Sequence, residues 1–189
     1  MHEKSFLQEI APRGSDFFIH SLFFFFADFK LNLHAAEISS ATISSIIEEE
    51  KPVYIYIPSI NLFSKIQGVG VNKKGNMDVP SGKTNNVGWY KHGVTPGETG
   101  TAVLDAHNTA AFKKLNALPV GEEIYIYTSS SEWLKFEVTK AKTYPVEKLS
   151  PSTLFAQANA PQINLITCAG LLLGNGEASH RLIVSAKLV

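Results

Sequence analysis

Short β-prone segments separated by turn residues fill the chain from Val53 to its end, and this pattern most constrains the fold. Each segment is rich in isoleucine, valine, tyrosine or threonine, and proline, glycine, asparagine or serine residues separate it from the next. Many short strands with frequent turns predict a mainly β protein whose sheet closes into a barrel. The predicted strands are residues 53–57, 62–71, 87–90, 101–107, 123–128, 135–144, 163–168 and 181–189.

Helices account for little of this pattern. Residues 110–118 (AAFKKLNAL) have the best short helical spacing, and Pro119 ends it. A further helical turn is predicted near residues 153–158, and residues 169–180 are predicted to form a loop. The expectation is therefore a closed barrel with one or two short helices.

A phenylalanine-rich run precedes the β-rich part of the chain. Residues 17–27 (FFIHSLFFFFA) are apolar, and charged residues interrupt the pattern soon afterwards. The run is shorter than the roughly 18 apolar residues that a membrane-spanning helix needs, and it matches the apolar core of a signal peptide. We interpret residues 1–36 as a signal peptide or signal-anchor, residues 37–52 as a stalk or linker, and residues 53–189 as one folded domain. The alternative for the first segment is a helix that belongs to the fold.

Charge and cysteine content exclude some classes of protein. The chain has 17 basic and 17 acidic residues, and no dense cluster of lysine and arginine indicates nucleic-acid binding. A single cysteine cannot form an internal disulfide. The chain therefore suits the cytosol, or an exported protein that keeps its thiol free for chemistry.

That cysteine, Cys168, ends the predicted strand in the stretch INLITCAG. A lone cysteine is most often a small buried hydrophobic residue. It becomes a candidate nucleophile when a histidine elsewhere in the chain can support it.

Two other residues stand at strand ends and have the chemistry that a thiol nucleophile needs. His107 ends one predicted strand, and Arg181 begins the last one. A histidine can donate a proton to a leaving amine, and an arginine can bind a carbonyl oxygen that becomes negatively charged. Together with Cys168 they form a candidate acyl-transfer site.

Other residues near these positions have alternative interpretations. Asp105 shares the predicted strand face of His107, and it is interpreted as a carboxylate at the rim of the site or as an orienting group for the imidazole. His180 and His92 compete for the acid–base role, but His180 should face away from its neighbour Arg181.

Several segments together resemble the sortases, the cysteine transpeptidases of bacterial cell surfaces. A histidine strand, a Thr-Cys pair and an arginine at the start of the last strand occur in the family's order. The resemblance is greatest to the compact sortases often called class F. It rests on IYIPSI (55–60), VGWY (87–90), TPGETGTAVLDAHN (95–108), FKKLNALPVGEEIYI (112–126), LITC (165–168) and RLIVSA (from 181).

The resemblance implies an eight-stranded sortase barrel and assigns roles to individual residues. Cys168 would be the nucleophile, His107 the general acid, and Arg181 the residue that binds substrate and stabilises the transition state. Thr167 would line the groove, and Ala106 and Asn108 beside the histidine would also contact substrate. No cofactor and no metal are implied.

The resemblance also implies the partners and the location of the protein. The substrates would be exported proteins with a carboxyl-terminal sorting signal of LPXTG type. The acceptor would be an amine of a peptidoglycan cross-bridge or a pilin lysine. The domain would act outside the cytoplasm, in contact with the membrane through its amino-terminal segment.

Two other functions stay open on the sequence alone. A Cys–His peptidase would use the same residues to hydrolyse its substrate, although papain-like enzymes have the cysteine before the histidine, the reverse of this chain. A non-catalytic surface domain could bind a peptide along a strand edge, with Cys168 buried and inert.

Overall fold

The strands of the computed structural model close on themselves. The model describes residues 50–73 and 75–189. The strands are β1 (Pro52–Ile57), β2 (Leu62–Val69), β3 (Val87–Tyr90), β4 (Gly100–Asp105), β5 (Glu123–Thr128), β6 (Trp133–Pro145), β7 (Pro161–Leu172) and β8 (Ala178–Leu188). They form a closed barrel in the order β1-β2-β3-β4-β7-β8-β6-β5. The predicted mainly β, closed eight-stranded barrel is confirmed.

Two of the strand pairs are parallel, and the others are antiparallel. β2 pairs with β3, and β4 pairs with β7, in the parallel sense. The helical elements are short: one α-helix, α1 (Pro151–Leu154), and 3₁₀ turns at Pro58–Ile60, Leu115–Ala117 and Val146–Lys148. The connections between distant strands therefore consist mostly of irregular chain.

The barrel interior holds the main hydrophobic core. Because side chains alternate along a strand, every second residue of β1, β5, β7 and β8 points inward. These inward residues are fully or almost fully buried: Ile55, Ile57, Ile124, Ile126, Ile163, Leu165, Val184 and Ala186.

β4, β7 and β8 are buried on both of their faces in part of their length. On the outer face, Val103, Ile166 and Ile183 form a second buried cluster. The chain that follows β6 covers this cluster with Leu149, Leu154 and Phe155. Strands covered on both sides read as continuous apolar runs, which explains the sequence of residues 102–104.

The segment predicted as a helix at residues 110–118 differs from the expectation. Only Leu115–Ala117 is helical, as a 3₁₀ turn, and most of the neighbouring bonds are of the i→i−3 kind, such as Leu115 N–H to the Phe112 carbonyl at 3.1 Å. The helix-like spacing instead reflects burial, because Ala111, Phe112, Leu115 and Leu118 all pack into the main core.

The prediction of a loop over residues 169–180 is wrong at both ends of that range. β7 continues to Leu172 and β8 begins at Ala178, so the two strands form a hairpin. The register shifts between Ala169 and Leu172, where Gly170 has a φ of 75°. This irregularity interrupts the alternation on which the strand prediction depended.

The predicted signal or anchor at residues 1–36 and the predicted stalk as far as residue 49 lie outside the described residues. Within the part that is described, no helix is long and apolar enough to cross a membrane.

Candidate active site

One groove on the outer side of the barrel is lined by the residues that the sequence predicts to form the active site. It has a volume of about 560 Å³, and Cys168, His107 and Arg181 all line it. These three residues are far apart in the chain, and the arrangement of the strands brings them together.

Cys168 and Arg181 lie side by side because they are partners in the β7–β8 ladder. Directly opposite residues of an antiparallel pair have Cβ atoms about 4.5–5.5 Å apart and project from the same face. Cys168 is a free cysteine and is partly exposed to the groove. The thiol and the guanidinium therefore leave neighbouring strands side by side and both face the groove.

His107 reaches the groove from β4, the other neighbour of β7. Asp105 is the register partner of Ile166 in the parallel β4–β7 pair, and the Ala106 N–H extends the ladder to the Ile166 carbonyl at 3.3 Å. His107 and Cys168 each follow two residues after that pair. His107, just beyond the end of β4, and Cys168, within β7, therefore lie at the same level of the barrel, and both line the groove.

Arg181 is held by backbone carbonyls in the first residues of its own strand, β8. Its Nη1 donates to the carbonyls of Ala178 and His180, both at 3.1 Å. These bonds occupy one nitrogen of the guanidinium. An arginine has five N–H donors in a planar fork, so the group can also bind an oxygen in the groove.

The floor and one wall of the groove are apolar. Val103 and Ile166 form the floor, and Leu149, Leu154 and Phe155 form a wall. Two hydrogen bonds hold this wall against the barrel: Asn164 Nδ2 to the Leu154 carbonyl at 2.7 Å and Thr101 Oγ1 to the Ala156 carbonyl at 2.7 Å. The groove therefore suits an extended peptide with apolar side chains beside a carbonyl to be attacked.

Asp105 also lines the groove, where it is mostly buried. Burial raises the pKa of its carboxyl from 3.8 to about 7, and the positive charge of Arg181 and the N–H of Ala106 offset only part of this effect. A rim carboxylate would be well hydrated. Asp105 is instead mostly buried, because the chain that follows β6 packs over the outer face of β4.

The raised pKa of Asp105 predicts a loss of stability as pH rises. The folded protein keeps the carboxyl proton up to about pH 7, whereas the unfolded chain releases it near pH 3.8. This group's contribution is therefore fully present below pH 3.8 and lost as pH rises through 7. One pKa unit corresponds to about 1.4 kcal/mol, so we expect Asp105→Asn to raise the free energy of unfolding at pH 8 by roughly 4 kcal/mol.

Urea unfolding at pH 5 and pH 8 measures this effect. The stabilisation by Asp105→Asn should be larger at pH 8 than at pH 5. Asp78→Asn, at an exposed aspartate outside the groove, is the control and should show no such difference. Equal free energies of unfolding for Asp105→Asn and the unsubstituted protein at pH 8 would show that burial does not raise the pKa of this carboxyl.

The residues proposed to bind substrate occupy different surroundings. Thr167 is 3% exposed, and its hydroxyl donates to the Ala106 carbonyl at 2.6 Å, which ties β7 to the end of β4. Its side chain therefore lies below the groove. Ala106 is among the lining residues although its methyl group is buried, and Asn108 is exposed and is not among them.

The two competing histidines face elsewhere. His107 is the only histidine among the described residues that line the groove. His180 Nδ1 lies 2.8 Å from Ser179 Oγ, and His92 packs edge-on against Tyr90 with ring centroids 5.8 Å apart. The alternation along β8 thus separates His180 from its neighbour Arg181.

The connection between β2 and β3 contributes groove residues that sequence reasoning missed. Val71, Met77 and Val79 line the groove, and the Pro80 carbonyl lies 3.1 Å from His107 Nε2. A loop without a β or helical period carries no signal for such contacts. Over residues 50–73 and 75–189, no group of three or more histidine, cysteine, aspartate or glutamate side chains is placed to hold a metal ion.

Comparison with known families agrees with this geometry. The Sortase domain family matches residues 55–189, which include the whole groove. The chain belongs to the sortase family. Sortases are cysteine transpeptidases of the bacterial cell envelope, and this is the general class of the protein. No curated protein sequence matches the chain significantly.

Solved sortase structures share the barrel. Sortase C-1 from Actinomyces oris is 27% identical and has a TM-score of 0.55 over 72% of this chain and 70% of its own. Sortase C2 of group B Streptococcus pilus island 1 is 24% identical, with a TM-score of 0.57 over 76% of each chain. Sortase C from Clostridium perfringens SM101 is 23% identical, with a TM-score of 0.55 over 74% of this chain and 70% of its own.

Similarity to solved structures at less than 25% identity shows only that the fold is shared, and the shared fold here is the sortase barrel. The three structures are sortases C, whereas the sequence most resembles class F. The subclass therefore stays a prediction.

Proposed function

We propose that this sortase cleaves a carboxyl-terminal sorting signal of LPXTG type and transfers the cleaved protein to an amine at the cell envelope. Cys168 is the nucleophile, His107 the general acid, and Arg181 the oxyanion-binding residue. The observation that carries the proposal is the meeting of these three side chains in one groove with an apolar floor.

The first half of the reaction forms a thioacyl enzyme. The Cys168 thiolate attacks the carbonyl carbon of the threonine in the Thr–Gly bond, and a C–S bond forms. The guanidinium of Arg181 binds the oxygen that becomes negatively charged. The intermediate then collapses, the C–N bond breaks, and His107 gives its proton to the departing glycine amine.

The second half transfers the acyl group. An amine attacks the thioester carbonyl and loses a proton to His107, and Cys168 leaves as the thiolate. The product is an amide, and the residues return to their starting protonation states. If water replaces the amine, the product is a carboxylic acid and the reaction is hydrolysis.

The partners follow from this chemistry. The leucine and proline of the sorting signal would lie on the apolar floor and wall, with the threonine carbonyl at Cys168. Substrates would be exported proteins, the acceptor a peptidoglycan cross-bridge or a pilin lysine, and the location extracytoplasmic. The segment at residues 1–36 would hold the domain at the membrane or direct its export.

The proposal is tested with a fluorescent LPXTG peptide and an amine acceptor such as triglycine. We expect a peptide–acceptor conjugate by mass spectrometry, and a ratio of conjugate to acid that rises with acceptor concentration. A ratio that does not depend on the acceptor would support a hydrolytic peptidase. No cleavage of any sorting peptide, together with no reaction of Cys168 with iodoacetamide, would support a non-catalytic domain.

A further inference from the structure

A backbone carbonyl from the β2–β3 connection is in contact with the imidazole of His107. The Pro80 carbonyl oxygen lies 3.1 Å from His107 Nε2, a normal hydrogen-bond distance. Pro80 is 27 residues away in the chain and is buried. Among the described residues, this is the hydrogen bond that the imidazole of His107 makes.

The chemistry of the contact assigns the imidazole proton. A carbonyl oxygen can only accept a hydrogen bond, so Nε2 must carry the hydrogen. In the neutral ring the other nitrogen, Nδ1, is then the unprotonated one. Proton transfer to and from the reacting groups therefore takes place at Nδ1, and Nε2 keeps its hydrogen throughout.

The carbonyl is well placed to orient the ring because the connection is tied down at several points. Near β2, the Asp78 N–H donates to the Gly70 carbonyl at 2.9 Å. On the other side of Pro80, the Thr84 N–H donates to the Ser81 carbonyl at 2.9 Å, and the Ser64 hydroxyl of β2 donates to the Asn85 carbonyl. Pro80 thus lies between two segments of the connection that are held by hydrogen bonds.

A glycine on β3 makes room for the proline ring. A Cβ atom on Gly88 would lie 2.9 Å from Pro80 Cδ and 3.2 Å from both methyl carbons of Val69. At a contact below 3.0 Å something must shift, so a larger residue at this position would press against the Pro80 ring and the Val69 side chain. The missing side chain of Gly88 therefore allows Pro80 to lie where its carbonyl meets His107.

We propose that Pro80 is a positioning residue for His107: its carbonyl, seated by Gly88, fixes the imidazole as the Nε2–H tautomer with Nδ1 free for proton transfer. A general acid–base group is commonly held by a third group in this way. In this chain that third group is a main-chain atom of a loop. The inference rests on the proposed function, in which His107 is the general acid.

The first test is the tautomer of His107 in the intact protein. A long-range ¹H–¹⁵N spectrum of the imidazoles, recorded where the rings are neutral, shows which nitrogen carries the hydrogen. The His107→Gln variant identifies the His107 signal by its disappearance. We expect the hydrogen on Nε2. A hydrogen on Nδ1, or an equal mixture of tautomers, would overturn the proposal.

The second test displaces the carbonyl with Gly88→Ala. We expect kcat for the sorting peptide to fall about tenfold or more, because a shift of about 1 Å at a catalytic group costs up to about a hundredfold in rate. KM should stay within about twofold, and the His107 signal should become a mixture of tautomers. Gly70→Ala is the matched control, because a Cβ there meets only His92 Nε2, at 3.8 Å.

A rescue experiment separates positioning from general damage. Pro80→Ala keeps the carbonyl and removes the ring carbon Cδ, so adding it to Gly88→Ala should restore a large part of kcat. No recovery in a double variant with native circular dichroism would contradict the seating by Gly88. If Gly88→Ala does not fold, the tautomer of the unsubstituted protein still decides the proposal.

The two proposals fail in different ways. If the unsubstituted enzyme transfers the peptide but His107 has its hydrogen on Nδ1, the positioning role is wrong and the transpeptidase function stands. If Nε2 carries the hydrogen and no sorting peptide reacts, the proposed function is wrong.

Discussion

Cys168→Ala is expected to lower the rate of peptide transfer by roughly a thousandfold or more, since removal of a covalent nucleophile leaves only binding and oxyanion stabilisation. The thioacyl form should also disappear from the intact-mass spectrum of enzyme incubated with substrate alone. The rate of conjugate formation and the mass spectrum measure the two effects.

The single cysteine makes this experiment unusually direct. Cys168 is the single thiol in the chain, and thiols react with iodoacetamide far faster than other side chains, so one mass increment and the loss of activity should follow the same time course. Leu171→Ala, at a position 79% exposed on the same strand, is the control and should keep full activity. Undiminished cleavage by Cys168→Ala would end the thiol mechanism.

Arg181→Lys has the second largest expected effect, a fall in kcat of roughly a hundredfold to a thousandfold. The positive charge is retained, but the planar fork is lost. A guanidinium can hold the backbone carbonyls of Ala178 and His180 and still bind the developing oxyanion, whereas an ammonium group is a single point of charge. Steady-state kinetics with the sorting peptide measure kcat and KM separately.

Lys187→Arg is the matched control for this substitution. It makes the reverse exchange on the same strand, at an exposed position outside the groove. Its activity should match that of the unsubstituted enzyme. If Arg181→Lys kept its full kcat while only KM rose, Arg181 would bind substrate without stabilising the transition state.

The strands of this fold were predictable because their local patterns are strong. β1 and β5 alternate isoleucine with tyrosine, and β7 is a continuous β-prone run. The prediction fails where local pattern and burial separate. Phe112 and Leu115 have helical spacing because they pack into the core, although the chain there is a series of turns.

The candidate site was predictable only in part. Strand ends and the resemblance to sortases pointed to His107, Cys168 and Arg181, and all three line the groove. The pKa of Asp105 was not predictable, because the cover on β4 comes from a segment more than 40 residues later, around Leu149 and Phe155. Sequence proximity carries no information on such a contact.

The contact between the Pro80 carbonyl and His107 could not be predicted from the sequence. Every residue has a backbone carbonyl, so the residue type says nothing about which one meets an imidazole. The contact also depends on the absence of a side chain at Gly88. Only the path of the β2–β3 connection reveals it.

Closure of the barrel has a consequence for a protein that handles extended peptides. An open sheet offers unpaired N–H and C=O groups along its edge, and a captured chain can add there as an extra strand and seed aggregates. Each of the eight strands here has a hydrogen-bonded neighbour on both sides. The proposed peptide substrate would therefore be held by its side chains in the groove and would not add to the sheet as a further strand.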